Sequence, residues 1–252
     1  MTAIYSDLKD KVVLVTGGGS GIGEAIVRKF AHQQAQVGII DIALEPSRAL
    51  LKELQGSGAR ICFEHRDLTD VTALRAGIAA IKRQLGAVQI LINNAANDER
   101  HATDAVTEQV WDGRIAVNLK HQFFCAQAVL ADMKAAGDGV IINLGSITWM
   151  VGQGGMAGYS AAKSAVLGLT RSLARDYGEF GIRVNAVAPG WIMTQRQLDK
   201  WVTPEVEAQI MARQCLKRKL EPVEIANFIV FLASREASAC TSQHYVVDGG
   251  WV

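Results

Sequence analysis

Tyr159 and Lys163 stand four residues apart in the run Tyr159-Ser160-Ala161-Ala162-Lys163, and Ser146 lies a short loop upstream. Residues at i and i+4 share a helix face, so the phenol and the ammonium can converge on one point. A free tyrosine has a pKa of about 10 and is a poor base at neutral pH. A neighbouring cation favours the phenolate, each unit of lowering corresponding to about 1.4 kcal/mol. The Ser146 hydroxyl can hold the oxygen whose proton Tyr159 takes or gives. This trio suits proton transfer to and from a carbinol or carbonyl while a hydride leaves or arrives, as in nicotinamide-dependent oxidoreduction. An incidental pair on a surface helix is the competing explanation, so the rest of the chain has to decide.

Residues 16–23 read Thr-Gly-Gly-Gly-Ser-Gly-Ile-Gly, following an apolar run and opening a helix-like stretch. At Gly17, Gly19, Ser20, Gly21, Ile22 and Gly23 a backbone without bulky side chains can approach a pyrophosphate. A helix N-terminus adds free N–H groups and partial positive charge. The strand–turn–helix context argues against a plain glycine turn. Asp41 closes the second β-branched run, about 20 residues further on, where a carboxylate accepts the adenosine ribose hydroxyls. The same carboxylate repels a 2′-phosphate of up to about two negative charges. Ile42 follows, and the loop holds no Arg or Lys. NAD is therefore expected, with NADP disfavoured; a simple strand-end cap is the alternative role for Asp41.

These residues need a scaffold, and the hydrophobic pattern supplies one. Strands are expected at 12–16, 37–41, 60–64, 90–93, 140–144, 183–187 and 244–247. Helices are expected at 21–33, 47–55, 71–85, 106–133, 159–177 and 223–233. Alternating β and α elements, with strands as apolar as Val12-Val13-Leu14-Val15, imply a parallel sheet covered on both faces. The right-handed crossover rule then favours an α/β, doubly wound, Rossmann-type architecture of about seven strands. Four prolines and no low-complexity tract leave no linker, so residues 1–252 are expected to form one domain. Substrate loops are expected at about 97–104, 146–156 and 190–215, after strands four, five and six.

A net charge of +1 with both signs interspersed excludes a nucleic-acid stripe. Cys62, Cys125, Cys215 and Cys240 are too scattered for metal ligation and read as buried thiols of a reducing compartment. No metal is expected. The N-terminus has no apolar leader and no run is long enough to span a bilayer, so a cytoplasmic location is expected.

The chain resembles the short-chain dehydrogenase/reductase family along nearly its whole length. The matching pieces are residues 16–23, Asp67-Leu68, Asn93-Asn94-Ala95-Ala96, Asn118, Ser146, residues 159–163, Pro189-Gly190 with Thr194, and Asp248-Gly249-Gly250-Trp251. The resemblance implies that Asp67 and Leu68 contact the adenine, and that Asn94, Ala95 and Ala96 border the cofactor after strand four. Pro189, Gly190, Ile192 and Thr194 would border the nicotinamide. Lys163 would hold the nicotinamide ribose, and Asn118 a water that relays protons from Lys163. Asn118 also interrupts an apolar helix, where it can kink the backbone. Ala96 departs from the glycine common in the family. A homotetramer is likewise implied, and the apolar C-terminal end would suit burial between subunits.

The segment Asn97-Asp98-Glu99-Arg100-His101 is unusually polar, as is the set Trp191, Gln195, Arg196, Gln197, Lys200 and Trp201. Trp149 and Gln153 follow Ser146. Amides and charges suit a hydroxyl-rich substrate, and an indole face suits the C–H face of a sugar ring. The substrate contacts expected are Asn97, Glu99, His101, Ser146, Trp149, Gln153, Tyr159, Trp191, Gln195, Lys200 and Trp201. Merely polar surface loops are the alternative. Residues 93–101, 145–149, 200–210 and 214–217 also resemble bacterial aldose 1-dehydrogenases of the D-xylose and L-arabinose type. That resemblance implies oxidation of an anomeric hydroxyl to a lactone with NAD. An NADPH-dependent ketoacyl reductase and a non-catalytic nucleotide-binding scaffold are the rivals.

Overall fold

The computed structural model describes residues 3–252. Seven parallel strands form one sheet in the order β3-β2-β1-β4-β5-β6-β7. They are β1 (Val12–Thr16), β2 (Gln36–Asp41), β3 (Ile61–His65), β4 (Ile90–Asn93), β5 (Gly139–Leu144), β6 (Ile182–Pro189) and β7 (His244–Val247). Every residue of β1, β2, β4 and β5 is buried, which is why these runs are apolar rather than alternating. The helices are α1 (Gly21–His32), α2 (Leu44–Gly56), α3 (Val71–Leu85), α4 (Glu108–Ile115), α5 (His121–Ala136), α6 (Ala157–Tyr177), α7 (Gln195–Lys200), α8 (Pro204–Arg213) and α9 (Pro222–Ala233). One apolar layer joins α1 and α9 to the sheet through Phe30, Ile26, Ile225 and Ile229. The opposite layer joins α3, α5 and α6 through Ile78, Ile81, Val129 and Leu173.

The strand order reverses between β1 and β4, which pair with Thr16 opposite Asn93. At such a switch point the loops leaving the two strands diverge to opposite faces and open a crevice. Buried amides hold the next strands in place. Asn93 Nδ2 donates to Asn143 Oδ1 at 2.8 Å, and Asn143 Nδ2 to Thr170 Oγ1 at 3.0 Å, linking β4, β5 and α6.

Two expected elements differ from the structure. The single helix expected at 106–133 is α4, one turn of π-helix at Ala116–Lys120, and α5. Asn118 lies in that turn and its Nδ2 donates to the Arg114 carbonyl at 2.9 Å, a side-chain bond that competes with the regular ladder. The region 190–215, expected as loop, contains α7 and α8. Thr194 and Thr203 cap them by accepting from Gln197 N and Val206 N, and Pro204 opens α8.

His121, the first residue of α5, is fully buried, and neither ring nitrogen has a partner among the described residues. Burial, reinforced by the Lys163 cation, holds its pKa down to about 3. The unfolded chain therefore binds a proton between about pH 6.5 and 3 that the folded chain refuses, and acid must erode stability. From pH 7 to pH 5 this group should cost about 2 kcal/mol of unfolding free energy. Urea unfolding at both pH values should show a smaller loss in His121→Gln than in the wild type; equal losses would acquit His121.

Candidate active site

The glycine loop closes the switch point from one side. Thr16 Oγ1 accepts from Asn94 N at 3.0 Å and Ala95 N at 3.1 Å, while Asn94 Nδ2 donates to the Thr16 and Gly17 carbonyls at 3.0 and 2.8 Å. These bonds stitch the end of β1 to the end of β4. Gly17 and Gly21 have φ of +65° and +57°, where a side chain would be strained. A Cβ on Gly23 would run into the Gly17 carbonyl oxygen. The chain thus turns tightly enough to start α1 inside the cleft. Ser20 makes no side-chain cap there, so the first-turn N–H groups of Gly21, Ile22 and Gly23 are left for a ligand.

The cleft itself measures about 910 Å³ and runs from Asp41 to Gln153. Its volume and its helix N-terminus fit a dinucleotide. At one end, Asp41 Oδ2 accepts from Gly19 N and Oδ1 from Ala43 N, both at 2.8 Å. Asp41 is therefore a strand-end cap and a cleft wall at once. Ile42, Asp67 and Leu68 line the same end, with Asp67 Oδ1 accepting from Thr69 N and Oγ1. Gly19 does not line the cleft; its N–H is spent on Asp41. Arg66 does line it, which corrects the expectation that no cation stands near the ribose end. Its guanidinium is paired to Glu64 at 3.0 Å. The basic residue just before Asp67 was the available signal.

At the centre, Ala95, Ala96, Pro189, Gly190, Ile192 and Thr194 border the space beside Ser146, Tyr159 and Lys163. Ser146 ends the β5 loop and accepts from Thr148 N at 3.2 Å. Tyr159 is in the first turn of α6, and Lys163 lies one turn later with its Nζ 5.7 Å from the Tyr159 ring centroid. Lys163 Nζ donates to the Leu144 carbonyl at 2.7 Å and is nearly inaccessible. Burial pushes the Tyr159 phenol up to about 12; Ser146 pulls it back, and the Asp98 charge pushes it further up. Burial brings Lys163 down to about 7, with Asp98 opposing. Desolvation thus outweighs the Ser146 hydrogen bond at Tyr159, and Lys163 is not among the groups that lower the phenol.

Asn118 is fully buried at the foot of the substrate loop. Its Oδ1 accepts from Asn97 N at 2.9 Å and its Nδ2 donates to the Asn97 carbonyl at 3.1 Å. Of the expected substrate residues, Asn97, Glu99, Gln153, Trp191 and Gln195 join Ser146 and Tyr159 in the cleft wall. Four others do not line it. His101 is engaged by the Arg114 guanidinium, and Trp149 stacks on His244 with centroids 6.2 Å apart. Lys200 pairs with Glu99 at 3.1 Å, and Arg100 lies over the Trp201 ring at 4.4 Å. Asp98, Arg100, Gln109, Arg114 and Trp251 line the cleft and were missed. Trp251 stacks on Trp191 with centroids 6.4 Å apart, so the C-terminal end packs against the cleft wall.

A family model described as enoyl-(acyl carrier protein) reductase matches residues 17–252. The chain is 48% identical over 250 residues to a D-xylose 1-dehydrogenase of Caulobacter vibrioides, covering 99% of each chain. It is 45% identical over 247 residues to the "Probable galactose dehydrogenase GalD" of Rhizobium meliloti, covering 98% of this chain and 96% of that one. Among solved structures, a 7α-hydroxysteroid dehydrogenase complexed with NADH superposes with a TM-score of 0.92 at 32% identity, covering 96% and 94%. A blue fluorescent protein from a metagenomic library, in complex with NADPH, gives 0.90 at 34% identity, covering 97% and 99%. With this sheet, this glycine loop and these relatives, the chain belongs to the short-chain dehydrogenase/reductase family of oxidoreductases.

Proposed function

We propose that the protein oxidises the anomeric hydroxyl of an aldose, a pentose such as L-arabinose or D-xylose or a related hexose, to the aldonolactone with NAD. One observation carries the proposal: the cleft that holds Ser146 and Tyr159 is also lined by Asn97, Asp98, Gln153 and Gln195, a set suited to hydroxyls. The xylose and galactose dehydrogenases above give the same substrate class. A steroid or acyl site would be lined by apolar groups.

Bound NAD would supply the hydride acceptor and a positively charged ring. The chain supplies the rest. The α1 N-terminus and Asp41 would hold the diphosphate and the adenosine ribose. Ser146 Oγ fixes the C1 oxygen, and Tyr159 Oη takes its proton. Before that, Tyr159 must lose its own proton, which the Ser146 hydrogen bond and any positive charge in the cleft favour. Alignment of the reactants supplies much of the rate.

Ketoacyl reduction with NADPH gains one supporting observation, Arg66 at the ribose end. Its engagement with Glu64 and the fixed Asp41 carboxylate favour NAD. A non-catalytic scaffold would have no use for the intact Asn118, Ser146, Tyr159 and Lys163. We further propose a cytoplasmic homotetramer. β7 pairs only with β6 within the described chain, and Trp111 and Phe123 are exposed on α4 and α5. No helix among the described residues is long and apolar enough to cross a membrane.

Initial rates with L-arabinose, D-xylose, D-galactose and L-fucose, each with NAD and NADP, test the function; turnover of none of them would sink it. In Tyr159→Phe, NADH binding should persist while kcat falls by roughly 10²–10⁴-fold. Asp41→Ala should narrow the NAD-over-NADP preference by about tenfold or more, seen in the two Kd values, because a 2′-phosphate then meets no carboxylate. An unchanged ratio would leave Asp41 as a cap alone. Light scattering at micromolar concentration should give four times the 27.2 kDa chain mass.

A further inference from the structure

Glu99 is the obvious acidic residue of the substrate loop, yet two cations take three of its lone-pair sites, Oε1 accepting from Lys200 Nζ at 3.4 Å. Arg196 Nη2 reaches its Oε2 at 2.8 Å and Lys200 Nζ at 3.1 Å. Asp98 is different. Its Oδ1 accepts one bond, from Arg196 Nε at 3.0 Å, and its Oδ2 accepts one, from Gln197 Nε2. A carboxylate offers about four lone-pair sites, so each oxygen retains one. The side chain is 22% exposed, and it is exposed to the cleft.

Its position is also tightly determined. Asn97, the preceding residue, is gripped at both N–H and C=O by Asn118, and Asn97 Oδ1 accepts from Glu99 N at 3.0 Å. Asp98 therefore projects from a backbone pinned on either side, while two donors from α7 orient its carboxylate from the outside. It lines the same cleft as Ser146, Tyr159 and Lys163, and its charge acts on the last two. A carboxylate accepts only; it rewards hydroxyl donors and repels phosphorylated or carboxylated substrates.

We propose that Asp98 is the specificity-determining acceptor of this site: its two remaining lone-pair positions take hydrogen bonds from ring hydroxyls of an uncharged sugar, with Arg196 and Gln197 as the residues that aim it. The proposal rests on the aldose reading and adds to it the group that discriminates between sugars. The competing role is a latch, in which Asp98 only ties the loop after β4 to α7.

The wild type is measured first with the four aldoses above; turnover of none overturns the aldose reading and this proposal with it. With the best aldose, kcat/KM is then measured for the parent sugar and its monodeoxy analogues in wild type, Asp98→Ala and Arg196→Met. Wild type should lose about tenfold or more on at least one deoxy analogue, the loss expected when a charged acceptor goes unpaired. Asp98→Ala should raise KM for the parent by a similar factor and treat that analogue and the parent alike within about twofold, a coupling a latch would not show. Arg196→Met loosens the tie but keeps the acceptor, so it should lower kcat/KM for all analogues by one common factor. NAD affinity should stay within about twofold throughout. If Asp98→Ala preserves the wild-type ratios between sugars, Asp98 is a latch and the proposal fails. Should Asp98→Ala not fold, Asp98→Asn carries the same comparison with the same criteria.

Discussion

Asn118 makes three hydrogen bonds to backbone groups, and the open side of the cleft depends on them. One goes back to the Arg114 carbonyl and two clasp Asn97. A buried amide left unpaired costs several kcal/mol on transfer scales, about 2–7, so the bonds must all form together or the turn must refold. Forming them widens the helix into a π turn and simultaneously pins the loop after β4. The chain of bonds continues inward. Gln122 Nε2 donates to the Asn118 and Leu144 carbonyls, both at 3.3 Å, and Lys163 Nζ donates to the same Leu144 carbonyl. The loop after β4, the broken helix, the β5 terminus and Lys163 are thus one connected polar network inside an otherwise apolar layer. A shift of Asn97 cannot leave Lys163 untouched.

Burial also decides how the two catalytic groups titrate. Tyr159 and Lys163 both lose water, and each is driven toward its neutral form. Neutral phenol beside an amine poised near neutrality is a resting arrangement, not the working one. Any positive charge entering the cleft would lower the phenol and any negative charge would raise it. The chain already contains one such negative charge in Asp98, which offsets part of the Lys163 depression. His121, buried behind the same network, stays neutral and so adds no competing cation next to Lys163. The proton balance of the site is therefore set by which charges are admitted.

Much of this was legible in the sequence, and the misses have physical causes. Doubly buried strands announce themselves as continuous apolar runs, so β1 and β4 match residue for residue; β7 also matches, although it is an edge strand with no buried residue. The interruption at Asn118 was readable, but whether it would bend or widen the helix depended on Asn97, a partner remote in sequence. α7 and α8 were hidden because polarity was taken for loop, although Thr194, Thr203 and Pro204 carry ordinary helix-start chemistry. In the site, residue type and loop membership identified candidates, but not which way each points. Trp149 faces outward to His244, and Trp201 is covered by Arg100. Arg66 was passed over because the search for a cation stopped at the glycine loop and Asp41.

The substrate wall shows why composition alone misranks such residues. Six charged side chains gather on the loop after β4 and on α7: Asp98, Glu99, Arg100, Arg196, Asp199 and Lys200. Counted as a surface, they suggest a strongly ionic pocket. In the fold all six are engaged: Arg196 bridges Asp98 and Glu99, Lys200 pairs with Glu99, Gln195 donates to Asp199, and Arg100 lies over Trp201. Exposed pairs of this kind contribute little to stability, at about 0–1 kcal/mol each. Their consequence is subtractive. By consuming one another they remove charge from the cleft and leave only the groups whose hydrogen-bonding capacity is incomplete. Which groups keep hydrogen-bonding capacity is a property of the folded geometry and invisible in any tally of residue types.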